Sequence, residues 1–138
     1  QLFIIMKLLD IISEDTQIPF KTKCKIFITN NNGEKVNIDC EIPTTEEEKV
    51  TGLMYRDNLC QNCGMYYDYV GSGFWMKNVN FPIDMIFVNG DTIVDIITAY
   101  PNDETIIKPS GFSDGNIEVN VGFCEDNDIS IGNTFYKS

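Results

Sequence analysis

Polar and apolar residues alternate strictly in two stretches of the first third of the chain. Residues 22–29 read TKCKIFIT and residues 35–42 read KVNIDCEI. A period of two predicts β-strands with one buried face. The Asn32-Gly33 pair between them is typical of a tight hairpin turn. We therefore expect the chain to open its fold with a β-hairpin.

A short helix is predicted directly after the second strand and should end near Arg56. Thr44 with Glu47, or Thr45 with Glu48, fits a capping box, in which a hydroxyl and a carboxylate satisfy free backbone N–H groups. The apolar residues that follow keep helical spacing and form the face expected to be buried: Val50, Leu53 and Met54.

The remainder of the chain reads as short strands separated by turns. Further strands are predicted at residues 64–70, 74–78, 83–88, 91–100, 116–121 and 134–137, with one helical turn near residues 123–130. Asn89-Gly90 marks a second hairpin, and residues 101–115 indicate a surface loop. The predicted fold is α+β and mainly antiparallel β: a barrel-like sheet with one short helix after the second strand.

We expect a single domain over residues 1–138, with residues 1–20 as an N-terminal extension. Residues 2–12 are apolar but contain Lys7 and Asp10. They are too few to cross a bilayer, which takes roughly 20 apolar residues, and they lack a signal-peptide cleavage pattern. We expect a soluble, cytoplasmic protein in which this stretch covers one end of the core; an amphipathic docking segment is the alternative.

Six motifs occur in a fixed order along the chain. They are GLMYR (52–56), GMYY (64–67), FWMKN (74–78), PIDMIF (82–87), IEVNVG (117–122) and ISIGNTF (129–135). Together they resemble the domain-of-unknown-function family number 192, over residues 36–138. The resemblance implies a compact β-rich domain with one helix and no assigned activity, in proteins that are often exported. The Cys60 and Cys63 pair and the N-terminal strand depart from the family pattern.

The composition excludes several classes of function. The chain has no histidine, so Ser-His-Asp catalysis, Cys-His catalysis and imidazole zinc sites are excluded. The net charge of -11 repels phosphate backbones and anionic lipids. We therefore expect no nucleic-acid partner and no membrane-surface partner, and the short apolar stretch 2–12 predicts no membrane span.

Polar and charged residues within the matched motifs form the candidate ligand-binding set. Its members are Arg56, Trp75, Lys77, Asn78, Asp84 and Glu118. A guanidinium, an ammonium, an amide and an indole can together hold a carboxylate, phosphate or sugar. Strand alternation places Trp75 and Lys77 on one face. The alternative is a structural Arg56–Asp84 ion pair beside a core tryptophan.

Two carboxylates suggest a second candidate site. If the Asn89-Gly90 turn has two loop residues, Asp84 lies opposite Asp95 in the second hairpin. Two directly opposed carboxylates need a cation or a shared proton, and such pairs divide acid and base roles in hydrolases. A slip of one residue in the register places them on opposite faces.

Five cysteines form the third candidate set. Cys24 and Cys40 fall opposite each other if the first hairpin has a three-residue loop. Cys60 and Cys63 form a C-x-x-C motif, which is used for redox chemistry, and four thiolates could also bind zinc. Free, partly buried thiols in a reducing compartment are the expected state.

These observations favour a non-catalytic binding or accessory domain for a small polar or anionic ligand or a protein partner. No cofactor, catalytic residue or metal ligand is assigned. Two alternatives stay open: an enzyme, either a hydrolase using Asp84 and Asp95 or a thiol oxidoreductase using Cys60 and Cys63, and a structural or assembly component.

Overall fold

A computed structural model describes residues 1–3 and 19–138, so most of the predicted N-terminal stretch 2–12 lies outside the described residues. The described chain forms seven strands and two short helices. They are β1 (Lys23–Thr29), β2 (Lys35–Glu41), α1 (Glu46–Thr51), β3 (Cys63–Tyr67), β4 (Ile83–Asn89), β5 (Thr92–Ala99), β6 (Gly115–Asn120), α2 (Phe123–Asp126) and β7 (Thr134–Lys137). The prediction of a β-rich α+β fold is confirmed.

The strands follow the order β1-β2-β3-β6-β4-β5-β7 around a closed barrel. Neighbouring strands of the described chain are antiparallel except for β2 and β3, which are parallel. A parallel pair needs a crossover, and the segment containing α1 provides it. Strand β7 pairs with β1, and this pairing closes the barrel.

The first hairpin has a three-residue loop. The backbone N–H of Asn30 donates to the carbonyl of Glu34 at 2.9 Å, so residues 31–33 form the turn. Gly33 lies at φ +75°, the positive value that such a turn requires, and has open space around it. The same loop length sets Cys24 directly opposite Cys40, as predicted.

Helix α1 begins with the predicted capping box and is shorter than predicted. Thr45 caps it, and the Glu48 side chain reaches back to the Thr45 backbone. The helix ends at Thr51 because Gly52 takes φ +46°. Leu53 and Met54 are buried as predicted, although they lie beyond the helix.

Two apolar cores lie on the two faces of the sheet. The barrel interior is filled by buried residues from six strands and α2, with the half-buried Tyr66 of β3 packed against them; examples are Ile26, Ile38, Ile86, Ile117, Phe123 and Phe135. The second core lies between the outer face of β3, β4 and β6 and the loops that cover it; examples are Leu53, Met65, Phe74, Met76, Met85 and Phe87. Strand β4 is therefore buried on both faces, which agrees with its largely apolar sequence, IDMIFVN.

The predicted strand at residues 74–78 is not formed. Only single bridges occur there, from Phe74 to Leu2 and to Ile107. Asn78 lies at φ +60°, which a continuous strand does not accommodate. This segment instead covers the second core with Phe74 and Met76, both fully buried.

Candidate functional site

Glu118 is a fully buried carboxylate in the middle of β6. It is paired with Met65 on one side and Met85 on the other, so its side chain points into the second core. Burial raises the pKa of Glu118, while a hydrogen bond from Gln1 acts in the opposite direction. A charge in an apolar core is costly unless it is paired, so this position calls for a partner.

The partner of Glu118 in this structure is the side chain of Gln1. Nε2 of Gln1 donates to Oε2 of Glu118 at 2.9 Å, and the Gln1 side-chain oxygen accepts from the Leu53 backbone N–H at 3.4 Å. The amide fits because residue 52 is glycine: a Cβ there would meet Oε1 of Gln1 at 2.7 Å and the Tyr67 hydroxyl closer still. We call the space defined by Gly52, Leu53, Tyr67, Trp75 and Glu118 the Glu118 pocket.

Residues 1–3 cross this pocket as an extended segment. The Trp75 N–H donates to the Gln1 carbonyl at 3.1 Å, and the Phe3 N–H donates to the Gly73 carbonyl at 2.8 Å. These two bonds form the antiparallel bridge between Leu2 and Phe74.

The side chains of this segment are fixed on its other sides. The Leu2 N–H donates to the Lys49 carbonyl at 3.0 Å, on α1, and the Leu2 side chain is buried in the second core. The Phe3 ring lies edge-on to the Trp75 ring at 4.9 Å. The segment therefore makes the contacts of a strand added to a groove.

Several polar atoms around this groove are buried without a hydrogen-bond partner among the described residues. They are Oε1 of Glu118, Nε1 of Trp75 and Nε of Arg56. Most buried polar atoms of folded proteins are paired, so such a cluster indicates a site with further bonding capacity. The Tyr67 hydroxyl is satisfied, because it donates to the Lys49 carbonyl at 3.1 Å.

Arg56 pairs with Glu41, which corrects the proposed Arg56–Asp84 ion pair. The guanidinium donates from its two terminal nitrogens at 2.6 and 2.8 Å. The side chains of Arg56 and Glu41 are only 10% and 16% exposed, and the guanidinium lies 5.2 Å from the Phe20 ring centre. Burial acts to raise the pKa of Glu41, but the hydrogen bonds from Arg56 and Phe20 hold it below its usual value. A guanidinium held in this way is not free for an anionic ligand.

Lys77 and Asn78 lie at the margin of the groove. Nζ of Lys77 sits 5.4 Å from the Trp75 ring centre, so the two share one side of the chain, and it approaches Glu104 at 3.9 Å. Nδ2 of Asn78 donates to the Tyr55 hydroxyl at 3.0 Å. Lys77 is therefore the accessible cation of the predicted set, and Asn78 is engaged in a loop contact.

Asp84 is separated from the rest of the predicted set by the sheet itself. It pairs with Val119 while Met85 pairs with Glu118, so Asp84 and Glu118 point to opposite faces. Asp84 accepts from the Thr98 hydroxyl at 3.2 Å and from the Cys124 N–H at 3.4 Å, next to α2. The six predicted residues therefore do not form one site. Trp75 and Glu118 lie at the groove, whereas Asp84 stabilises the opposite face of the sheet.

The predicted opposition of Asp84 and Asp95 is wrong. The turn residues are Gly90 and Asp91, and the register shifts by one residue between Phe87 and Val88, so Asp95 faces Phe87. Asp84 instead faces Thr98. The Asp95 carboxylate accepts from the Ser110 N–H at 2.9 Å and supports the loop there. The hydrolase alternative loses the geometry on which it was based.

Cys60 and Cys63 form a disulfide, with Cα atoms 5.1 Å apart, which corrects the expectation of free thiols at this pair. Cys24, Cys40 and Cys124 are free. Within residues 1–3 and 19–138, no group of three or more suitable side chains is placed to hold a metal ion, so the four-cysteine zinc set is not assembled there. The oxidoreductase alternative at Cys60 and Cys63 stays a prediction.

Sequence reasoning missed the residues that complete the groove and the ion pair. Gln1 and Leu2 lie in the predicted N-terminal extension, and Gly52 and Tyr67 carry no charge that marks them as ligand-binding residues. Glu41 ends a strand whose alternation predicts an exposed side chain. A signal did exist for Gly52: a glycine at the end of a capped helix often takes a positive φ.

Comparisons with known proteins agree with this β-rich fold. Residues 27–136 match the family model described as uncharacterised ACR. A structure from Sinorhizobium meliloti 1021, named as a candidate transcription regulator, superposes with a TM-score of 0.78 at 26% identity, over 87% of this chain and 96% of that chain. A protein of unknown function from Novosphingobium aromaticivorans DSM 12444 gives 0.75 at 28% identity, over 83% and 84%.

No curated relative matches the chain. Neither helix of the described chain has the length and apolar character needed to cross a bilayer.

Proposed function

We propose that this chain, which belongs to the domain-of-unknown-function family number 192, is a non-catalytic binding domain whose groove takes an extended peptide segment. The segment pairs its backbone with residues 73–75 and places a hydrogen-bond donor on Glu118. In this chain the groove is occupied by the chain's own residues 1–3.

The observation that carries the proposal is the hydrogen bond between Gln1 and Glu118. Glu118 lies inside the region that matches the family, and Gln1 lies outside it. The buried carboxylate thus belongs to the common domain, whereas its partner comes from a segment that the family region does not include. A buried acceptor of this kind selects its ligand strongly, because an analogue without the donor leaves the carboxylate unpaired.

The groove combines the two elements of strand-addition recognition. Backbone hydrogen bonds to Gly73 and Trp75 can bind an extended peptide of any sequence. The neighbouring side-chain contacts determine which peptide side chains fit. The Glu118 pocket takes a primary amide or another donor. The Trp75 ring takes an aromatic residue two positions later, as Phe3 does here.

This proposal narrows the ligand expected from sequence. The guanidinium of Arg56 is already bound by Glu41, so an anion gains little there. The buried group facing the ligand is an acceptor, which favours a donor-bearing ligand over an anionic one. The candidate-regulator name of the Sinorhizobium protein is not extended to this chain, because 21 acidic against 10 basic residues disfavour a nucleic-acid partner.

Trp75 is the only tryptophan of the chain, so its fluorescence reports on the groove alone. In the full chain, the double substitution Gln1→Ala and Leu2→Ala weakens the bound segment and should change the Trp75 emission. Adding the peptide Gln-Leu-Phe, blocked at both ends, should return the emission toward that of the parent in a saturable way. The parent should bind the peptide at least roughly tenfold more weakly than the double variant, because its own residues 1–3 compete at high local concentration.

A matched peptide, Leu-Leu-Phe, removes only the donor and should bind at least roughly tenfold more weakly, as expected for a buried acceptor left unpaired. The proposal is wrong if the double variant shows no saturable response to Gln-Leu-Phe, or if both peptides bind equally well.

A further inference from the structure

We propose that Cys24 and Cys40 form a reversible dithiol–disulfide site that reacts with small-molecule disulfides. This site is separate from the peptide groove and does not depend on it.

The two cysteines are directly opposite each other on β1 and β2. Directly opposed residues of antiparallel strands have Cα atoms about 4.5 to 5.5 Å apart. That spacing lies within the range that a disulfide spans, about 4.4 to 6.8 Å. The spacing of the two strands is therefore compatible with a disulfide between these residues.

The two thiols differ in access in the way that a redox pair requires. Cys24 is partly exposed, whereas Cys40 is buried. Both line a surface cavity of about 510 Å³, together with Lys23, Lys25, Asp39, Glu41 and Cys63. A small disulfide can thus reach Cys24 first, with Cys40 in position to complete the exchange.

The surroundings favour Cys24 as the attacking group. Hydrogen bonding to the Cys40 thiol lowers the pKa of Cys24, and the charge of Lys137 acts in the same direction against the opposing effect of burial. The pKa of Cys40 is raised, first by its bond to Cys24 and then by burial. One thiol supplies the nucleophile and the other keeps its proton until the second step.

Cys63, half of the Cys60–Cys63 disulfide, also lines this cavity but is not opposite either thiol of the proposed pair. Cys63 is paired with Asp39 and the next residue, Gly64, with Cys40, so the Cys63 and Cys40 side chains point to opposite faces of the sheet. The proposed exchange therefore takes its disulfide from solution.

The exchange balances in two steps. The Cys24 thiolate attacks one sulfur of a small disulfide RSSR, forming a mixed disulfide and releasing RS⁻, which takes a proton from water. Cys40 then loses its proton to water and attacks Sγ of Cys24, which releases the second RS⁻. The two protein thiols are oxidised, the small disulfide is reduced to two thiols, and an excess of small thiol reverses both steps.

Cys124 provides an internal control. Burial, with Asp84 nearby, raises the pKa of Cys124 to about 12, so this thiol should react slowly. The native full chain is incubated with oxidised glutathione, quenched with an alkylating reagent and mapped by mass spectrometry. We expect a Cys24–Cys40 link, with the loss of two hydrogen atoms, to form roughly tenfold faster or more than any adduct at Cys124.

The variant Cys40→Ser separates the two steps, because it should accumulate the glutathione adduct at Cys24. Cys124→Ser should leave the rate of linkage unchanged. The parent chain alone is decisive if Cys40→Ser does not fold. The proposal is overturned if Cys24 in the folded parent reacts no faster than Cys124, or if its adduct forms and is never resolved by Cys40.

Discussion

The guanidinium of Arg56 donates two hydrogen bonds to the carboxylate of Glu41, at 2.6 and 2.8 Å. The pair joins the end of β2 to the loop that follows α1. The same carboxylate accepts the Phe20 N–H at 2.6 Å, so it also anchors the segment that leads into β1. Three parts of the chain are thus held together by one partly buried ion pair.

Replacing Arg56 by Ala should lower the free energy of unfolding by about 3 kcal/mol, because it leaves the Glu41 carboxylate buried without its partner. Urea unfolding measures the loss. In a Glu41→Gln background the same substitution should cost clearly less, since no unpaired charge remains. Equal losses in both backgrounds would show that the pair is not coupled.

The pH dependence of stability should report on Glu118. Because burial raises its pKa, the folded chain keeps this proton at pH values where the unfolded chain has lost it. This group's contribution to stability is therefore favourable at low pH and falls as pH rises from the ordinary glutamate value through the raised one. Glu118→Gln should remove that part of the slope in urea titrations at several pH values. An unchanged slope would mean that Glu118 does not titrate with a raised pKa.

Glu41 provides the opposite sign in the same experiment. Its pKa is held below the usual value, so its contribution is complete above the ordinary glutamate pKa and is lost as pH falls through the lowered one. Glu41→Gln should therefore reduce the loss of stability at pH values below the ordinary glutamate pKa. Glu118→Gln should instead change the slope of stability at pH values above it.

Gly52→Ala should expel residues 1–3 from the groove. A Cβ at this position collides with the Tyr67 hydroxyl and with Gln1, in addition to the cost of the positive φ. Gly33→Ala is the matched control, because Gly33 also has a positive φ but no atom within 4 Å of the added carbon. We expect the control to cost about 1 kcal/mol and Gly52→Ala about 2 kcal/mol more. Only Gly52→Ala should alter Trp75 fluorescence; a response in both variants, or in neither, would contradict the collision.

Asp84→Ala should destabilise the fold by about 1–3 kcal/mol, because it leaves the Thr98 hydroxyl and the Cys124 N–H without their acceptor. The change lies on the opposite face from Glu118, so in the Gln1→Ala, Leu2→Ala background peptide binding in the groove should not change. Asp95→Ala should cost about 0.5 kcal/mol, since it supports an exposed loop. Thermal unfolding measures the stability losses, and the Trp75 fluorescence assay measures peptide affinity. A loss of peptide affinity in Asp84→Ala would show that Asp84 contributes to the ligand site.

The local elements could be predicted because each depends on neighbouring residues. Alternation and an Asn-Gly pair indicate the first hairpin, Asn89-Gly90 marks the approximate position of the second, and the Thr45–Glu48 capping box places the start of α1. The opposition of Cys24 and Cys40 also follows from one loop length. These features need no knowledge of the rest of the chain.

The site depended on relationships that sequence spacing does not contain. The second turn lies at Gly90 and Asp91 instead of Asn89-Gly90, and β5 has one extra residue opposite Phe87 and Val88; together these shifts separate Asp95 from Asp84. The position of β6 between β3 and β4 decided that Glu118 and Asp84 point away from each other. The role of Gln1 rests on a contact across 117 positions, for which no local pattern exists.

Among the strands of residues 19–138, β7 is synthesised last and its partner β1 first. The cylinder consequently stays open until residues 134–137 are free to dock, and during that time β1 offers an unpaired edge to any neighbouring chain. Contacts between distant parts of a sequence also form slowly. The seam between β1 and β7 is therefore where crowding during synthesis should most readily divert this protein into aggregates.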